Sequence, residues 1–281
     1  MPPLLLPEQP IVASLWGKEG LWKTTIALSW PKPIFDFEFD VGSFARASWR
    51  LTDAEQTLIH LIKYPQPMQI EKLTGVQKEG ITLKFPKKIV GVKEVWQKFV
   101  GDFVKAVQLP REQCRTIIFD SSTMLWSIAH RGYLQEKQEV QLAKTPNMNE
   151  NDFREKLQTI EYGEPNSRMS SLIMTARSYD KNLVLIHYPR DVYGERLNNA
   201  GEKVEYKTGK VEPDGFKETR KLVDIEILAE LGKDKNNQDT VVCKVGEKCA
   251  LAYMGTKAMG LSLPESSYQG LVKLQLGMKG D

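Results

Sequence analysis

Cysteine is scarce in this chain: Cys114, Cys243 and Cys249 are the only three in 281 residues, they form no C-x-x-C pair, and no histidine cluster accompanies them. That usage points to a reduced, cytoplasmic setting. Long apolar runs are also missing. Leu4-Leu5-Leu6 lies between Pro3 and Pro7, too short and too proline-rich for a signal peptide, and no stretch approaches the length needed to span a bilayer, so no membrane partner is expected. Neither sign of charge dominates, with 39 basic against 36 acidic residues and a net charge of +3, so no global field announces a nucleic-acid partner and any such binding must be local. Low-complexity linkers and internal repeats are absent as well. With 41% hydrophobic residues the chain can bury a full core, as one large α/β domain or as a core with appendages.

What is present is a strand-turn-helix pattern near the start. The apolar run Ile11-Val12-Ala13-Ser14-Leu15-Trp16 leads into Gly17-Lys18-Glu19-Gly20-Leu21-Trp22-Lys23-Thr24-Thr25 and then Ile26-Ala27-Leu28-Ser29-Trp30. The spacing is that of a phosphate-binding loop, G-x-x-x-x-G-K-[ST], with Trp22 in place of the second glycine. A loop entering a helix presents backbone N–H groups and the positive end of the helix dipole to phosphate oxygens. Lys23 would reach the outer phosphates as a point charge, and the Thr24 hydroxyl would ligate Mg²⁺. Glycine at position 22 would let the backbone approach without a Cβ in the way. The indole must therefore stack on a base, pack on a neighbouring subunit, or mark a loop that binds nucleotide poorly. Lys18, five residues before Lys23, also matches the partition-type ATPases, whose K-G-G-x-G-K-T pattern would put glycine where Glu19 and Trp22 stand.

Downstream, Pro31-Lys32-Pro33 breaks the helix and Ile34 to Asp40 alternates as a strand, with Phe35, Phe37 and Phe39 on one face and Asp36, Glu38 and Asp40 on the other. The acidic face is either solvated or turned toward a ligand at the strand's C-terminal end, where Asp40 would orient an attacking water. Residues 43 to 65 look helical and loop-like. Residues 79–92 suggest a small β insertion, with strands at 81–85 and 89–92. Its Lys84, Lys87, Lys88 and Lys93 would be a charged hairpin edge or a phosphate-backbone contact. Val95, Trp96, Phe99, Phe103 and Val107 form a helical core stripe. Thr116-Ile117-Ile118-Phe119-Asp120 is a hydrophobic strand closing in aspartate, the form of a Walker B element that supports Mg²⁺. A helix over 123–140, a loop over 141–151, a helix from Glu164 and a strand ending at His187 follow. His187 is either a structural histidine or a γ-phosphate sensor. Asp191 to Lys217 reads as a long hairpin-like excursion; residues 222–228 and 240–245 read as an antiparallel hairpin around 232–239.

The loop Gly17 to Thr25, "PIFDFEFDVG" from Pro33, "TIIFDSST" from Thr116, "NLVLIHY" from Asn182 and "GFKETRKLVDIEILAE" from Gly215 occur in an order that resembles the bacteriophage RecA-like P-loop ATPases found with single-strand annealing and recombination genes. The resemblance implies an α/β RecA-like core at 1–248 with a mainly parallel central sheet, helices on both faces and an antiparallel C-terminal hairpin, followed by an extension at 249–281. It implies Mg²⁺-dependent ATP hydrolysis on single-stranded DNA in the host cytoplasm, a homo-oligomeric ring or filament, and a single-strand DNA-binding protein as a further partner. Residue by residue, it puts Gly17, Lys18, Glu19, Gly20, Leu21, Trp22, Lys23, Thr24 and Thr25 around the nucleotide. Thr24 and Asp120 would serve the metal, Asp40 or Glu38 would position water, and His187 would sense the γ-phosphate. Lys217 or Arg220 would act on a neighbouring subunit, their alternative being a solvated charged loop. Lys87 and Lys207 mark the basic surfaces where DNA could lie. Two rival functions stay open: a partition-type ATPase, and a non-hydrolysing nucleotide-binding scaffold with a drifted loop.

Overall fold

Short apolar segments alternating with amphipathic helices build parallel sheets, because each crossover helix covers one face of the strands it connects. The computed structural model describes residues 9–67, 74–77, 80–83, 86–149, 152–197, 203–233 and 236–279. In chain order the first elements are β1 (Val12–Trp16), α1 (Lys23–Ala27), β2 (Ile34–Glu38), α2 (Ser43–Ala47), α3 (Asp53–Gln56), β3 (Ile59–Lys63), β4 (Thr74–Gln77) and β5 (Gly80–Leu83). There follow α4 (Val92–Gln108), β6 (Thr116–Asp120), α5 (Ser122–Lys144), α6 (Gly163–Ser178) and β7 (Asn182–His187). The last are β8 (Pro189–Leu197), β9 (Lys203–Pro213), α7 (Thr219–Leu222), β10 (Ile225–Lys233), β11 (Asp239–Cys249) and α8 (Tyr268–Lys279).

Seven strands form one sheet in the order β11-β10-β1-β7-β6-β2-β3. The pairings are parallel from β10 through β3, and β11 closes the other edge antiparallel to β10. This is the mainly parallel sheet with a C-terminal hairpin that the sequence predicts. Helices cover both faces. Ile26 and Ala27 of α1, Ala47 of α2 and Leu271 of α8 pack with Leu15, Ile34 and Ile118 on one side. Phe99 and Phe103 of α4, Ile128 of α5 and Ile173 of α6 pack with Phe37, Phe119 and Leu185 on the other. Strands buried on both faces read as continuous apolar runs, which is why β6 and β7 are legible without alternation.

Several expectations are corrected. The helical and loop-like stretch 43–65 contains β3, an edge strand with the short sequence Ile59-His60-Leu61-Ile62-Lys63. Residues 89–92 form no strand; Val92 starts α4, and the small antiparallel pair lies earlier, at β4 and β5. Lys84 lies outside the described residues. Lys87 pairs with Glu155 at 2.9 Å, Lys93 with Glu139, and Lys88 lies over the Phe153 ring, so these three cations are engaged by the protein itself. α5 runs to Lys144, into the expected loop. The acidic face of β2 is not solvated: Asp36 and Glu38 are fully buried. The long excursion is hairpin-like as expected, β8 pairing antiparallel with β9. The C-terminal segment contributes Met254, Ala258, Leu263 and Leu271 to the core cluster that includes β1 and α1. No helix among the described residues is long and apolar enough to cross a membrane.

Candidate functional site

β1 ends at Trp16 and the chain turns at once through Gly17, whose φ of +153° and close approach to the Ala229 carbonyl leave no room for a side chain. A Cβ there would stand 2.3 Å from that oxygen. The loop then runs to Trp22, which sits in the left-handed region at φ 52°, ψ 24° immediately before α1. Glycine adopts that conformation freely and tryptophan does so at a cost, so position 22 has a backbone suited to the glycine of the spacing while carrying an indole. The indole turns outward, 41% exposed, and the Arg50 guanidinium lies 3.6 Å from its ring centre. α1 has only five residues, so its dipole is weak and adds little to the charge of Lys23 at its first position.

Lys23 is buried, its ammonium held by the Gly17 and Lys18 carbonyls at 2.8 Å each and lying 5.0 Å from the Tyr188 ring centre. Burial lowers its pKa, against the opposing pull of Asp120, Glu19 and Asp40. The Thr24 hydroxyl donates to Asp120 Oδ2 at 2.7 Å, joining the loop to the end of β6. Asp120 is buried, and desolvation, together with nearby Asp40 and Glu38, raises its pKa to about 6 although Thr24 and Ser43 hydrogen-bond it.

β2 and β6 end side by side, and the Asp40 N–H bonds the Asp120 carbonyl at 3.0 Å, which sets the Asp40 carboxylate at the same rim. The Tyr188 hydroxyl donates to Asp40 Oδ2, and Arg46 approaches the same oxygen at 3.6 Å. Glu38 does something else: its Oε1 accepts from the Phe44 N–H at 2.8 Å and the Ser43 hydroxyl at 3.2 Å, fixing the start of α2. Asp36, one turn of the pleat deeper, has no hydrogen-bond partner at either carboxylate oxygen, and burial beside Asp120 and Glu38 pushes its pKa well up.

A pocket of about 400 Å³ opens here, its walls including Glu19, Gly20, Leu21, Trp22, Lys23, Thr24, Thr25, Asp40, Asp120 and Tyr188. Of the anticipated site residues the structure brings all but Gly17, Lys18, Glu38, His187, Lys217 and Arg220 to its wall, and Gly17 and Lys18 hold Lys23 from behind. His187 is buried one residue short of it. Its Nδ1 contacts the Asp214 carbonyl at 2.9 Å, so Nδ1 carries the proton, and burial lowers its pKa to about 4. The next residue, Tyr188, takes the place at the rim. Tyr188 and Arg46 were not anticipated; the position just past the β7 strand end was the available signal for Tyr188, and nothing in the spacing singles out Arg46. Lys217 and Arg220 line a second cavity, of about 330 Å³, with Ser14, Arg190 and Glu226. Arg220 donates there to Glu226 at 2.7 and 3.2 Å and to Glu247 at 2.7 Å.

Among the described residues no group of three or more His, Cys, Asp or Glu side chains is placed to hold a metal ion. Thr24 and Asp120 nevertheless suit Mg²⁺ with a nucleotide: both offer hard oxygen donors, and Mg²⁺ takes one or two protein ligands plus phosphate and water.

No protein-family model and no curated protein matches the chain. Among solved structures it is similar to a KaiC-like protein from the hyperthermophilic archaeon Pyrococcus horikoshii, at 12% identity and a TM-score of 0.44, over 90% of this chain and 84% of that one. A likeness this distant adds nothing to the α/β architecture already given by the strand order.

Proposed function

We propose that the chain is a P-loop ATPase: it binds ATP with Mg²⁺ in the pocket behind Gly17 to Thr25 and hydrolyses it. The observation that carries this is the 2.7 Å bond from Thr24 Oγ1 to Asp120, since it joins two residues 96 positions apart whose shared chemical use is a phosphate-bound Mg²⁺. Bound there, the metal would neutralise charge on the phosphate oxygens. Lys23 would exchange its loop carbonyls for phosphate oxygens, a charge-assisted contact. Asp40, oriented by the Tyr188 hydroxyl, would align a water for in-line attack and is better placed than Glu38, which is engaged with α2.

The finer proposal, from the sequence resemblance, is that turnover serves single-stranded DNA in phage recombination or replication, in a ring or filament whose Lys217 or Arg220 reaches the next subunit. A non-hydrolysing scaffold is the second reading, favoured by Trp22; the left-handed backbone at Trp22 and its outward indole speak against a collapsed loop.

The deciding experiment is Mg²⁺-ATP turnover with and without single-stranded DNA. Lys23→Ala and Asp120→Asn are each expected to lower turnover by about 100-fold or more. Turnover that survives Lys23→Ala would remove the ATPase from this pocket; tight ATP binding with no turnover in the native chain would support the scaffold.

A further inference from the structure

Trp22, on the pocket wall, carries a stack with Arg50 and Trp49 that neither the loop's shape nor the core requires. Arg50 lies 3.6 Å from the Trp22 ring centre and 4.7 Å from that of Trp49. All three side chains are exposed, Trp49 to 72% and Trp22 to 41%, so the stack buries little apolar surface and its contribution to folding is small. Of the three, Trp22 also lines the phosphate pocket. The other aromatic ring on that wall, Tyr188, is already committed through its hydroxyl to Asp40 and lies beneath the Lys23 ammonium. The buried wall residues Lys23 and Asp120, with Thr24 and Asp40, are polar and suit phosphates; Trp22, exposed on the same wall, carries the flat aromatic and guanidinium surface.

From this division we infer that the Trp22–Arg50–Trp49 stack is the base-binding platform of the nucleotide site, taking the nucleobase of a nucleoside triphosphate whose phosphates occupy the Lys23 end. The inference rests on the nucleotide reading of the pocket. Arg50 covers one face of the Trp22 indole, and the residue keeps 41% of its surface exposed. Every nucleobase has a π-face, so the platform favours stacking over discrimination among bases. Arg50 holds the indole in place through a cation–π contact and adds positive charge near the ligand. The substitution that breaks the glycine pattern of the loop thereby supplies the base contact.

The test compares Mg²⁺-ATP with Mg²⁺-tripolyphosphate, which has the phosphates and lacks the base, by titration calorimetry on the full chain. Trp22→Ala with Trp49→Ala is expected to weaken ATP by about tenfold and leave tripolyphosphate unchanged, while Trp22→Phe retains most of the ATP affinity. Lys23→Ala is expected to abolish binding of both. If the double variant binds ATP as the native chain does, or loses ATP and tripolyphosphate equally, the platform is not a base site, although the phosphate pocket stands. Unchanged ATP affinity with weakened self-association in sedimentation would make the stack a subunit contact instead. Unchanged ATP affinity with weakened binding of a single-stranded oligonucleotide would assign it to the bases of DNA. A native chain that binds neither ATP nor tripolyphosphate would overturn the nucleotide reading and this inference together.

Discussion

Position 17 admits a hydrogen atom and nothing larger, because the Ala229 carbonyl occupies the space a Cβ would fill. Gly17→Ala is expected to destabilise by about 3 kcal/mol or more in urea unfolding and to abolish nucleotide binding, as the loop must leave its place. Trp22→Gly should do little to stability. It relieves a left-handed tryptophan, about 1 kcal/mol, and forfeits an exposed cation–π contact of similar size, so the net change is about 1 kcal/mol or less. His187 gives a pH dependence whose sign is fixed. Its folded pKa of about 4 lies below the ordinary 6.5, so between these values the unfolded chain binds a proton that the fold refuses. The stability is complete above 6.5 and declines as pH falls toward 4, at about 1.4 kcal/mol per pH unit. His187→Gln, which can still donate to the Asp214 carbonyl, is expected to remove that component when unfolding is compared at pH 7 and pH 5.

Among the elements, β2 shows how alternation can mislead. Asp36 and Glu38 follow the solvated half of a period-two pattern, yet parallel strands on both sides and helices on both faces leave them no solvent. Glu38 finds donors on α2, whereas Asp36 finds none. A buried carboxyl with a raised pKa and no partner weakens the fold at neutral pH, so Asp36→Val is expected to raise stability at pH 7 by about 1–3 kcal/mol, read from the urea midpoint. The same limit of local pattern hid β3, whose five residues include an exposed histidine and lysine and carry too few periods to distinguish a strand from a loop. By contrast β1, β6, β7 and the helical stripe of α4 were legible, because each concentrates apolar residues in a run or a spacing that a single element can satisfy. The loop was legible by its glycine-lysine-threonine spacing. The Tyr188–Asp40 contact was not, since it depends on where two strands 148 positions apart come to lie.

At the scale of the molecule, the segment past Cys249 is part of the main core. Tyr268 lies against Trp30 with ring centres 5.0 Å apart, its N–H bonds the Ser29 hydroxyl at 2.8 Å, and Met254, Leu263 and Leu271 are buried in the cluster that includes β1. Those three side chains are worth about 1.5–3 kcal/mol each, roughly 5–9 kcal/mol together, which rivals the net stability of a typical domain. A chain ending at residue 248 is therefore expected to lack a cooperative thermal transition, as circular dichroism would show. The close approach of Gly17 to Ala229 also has an evolutionary consequence. The Gly17–Thr25 loop and β10 share one clearance, so a relative free to change Gly17 must first shift the register of β10. Distant kin should therefore show the loop glycine and the hairpin changing as a pair, and a search pattern that spans both segments should find relatives that the loop alone misses.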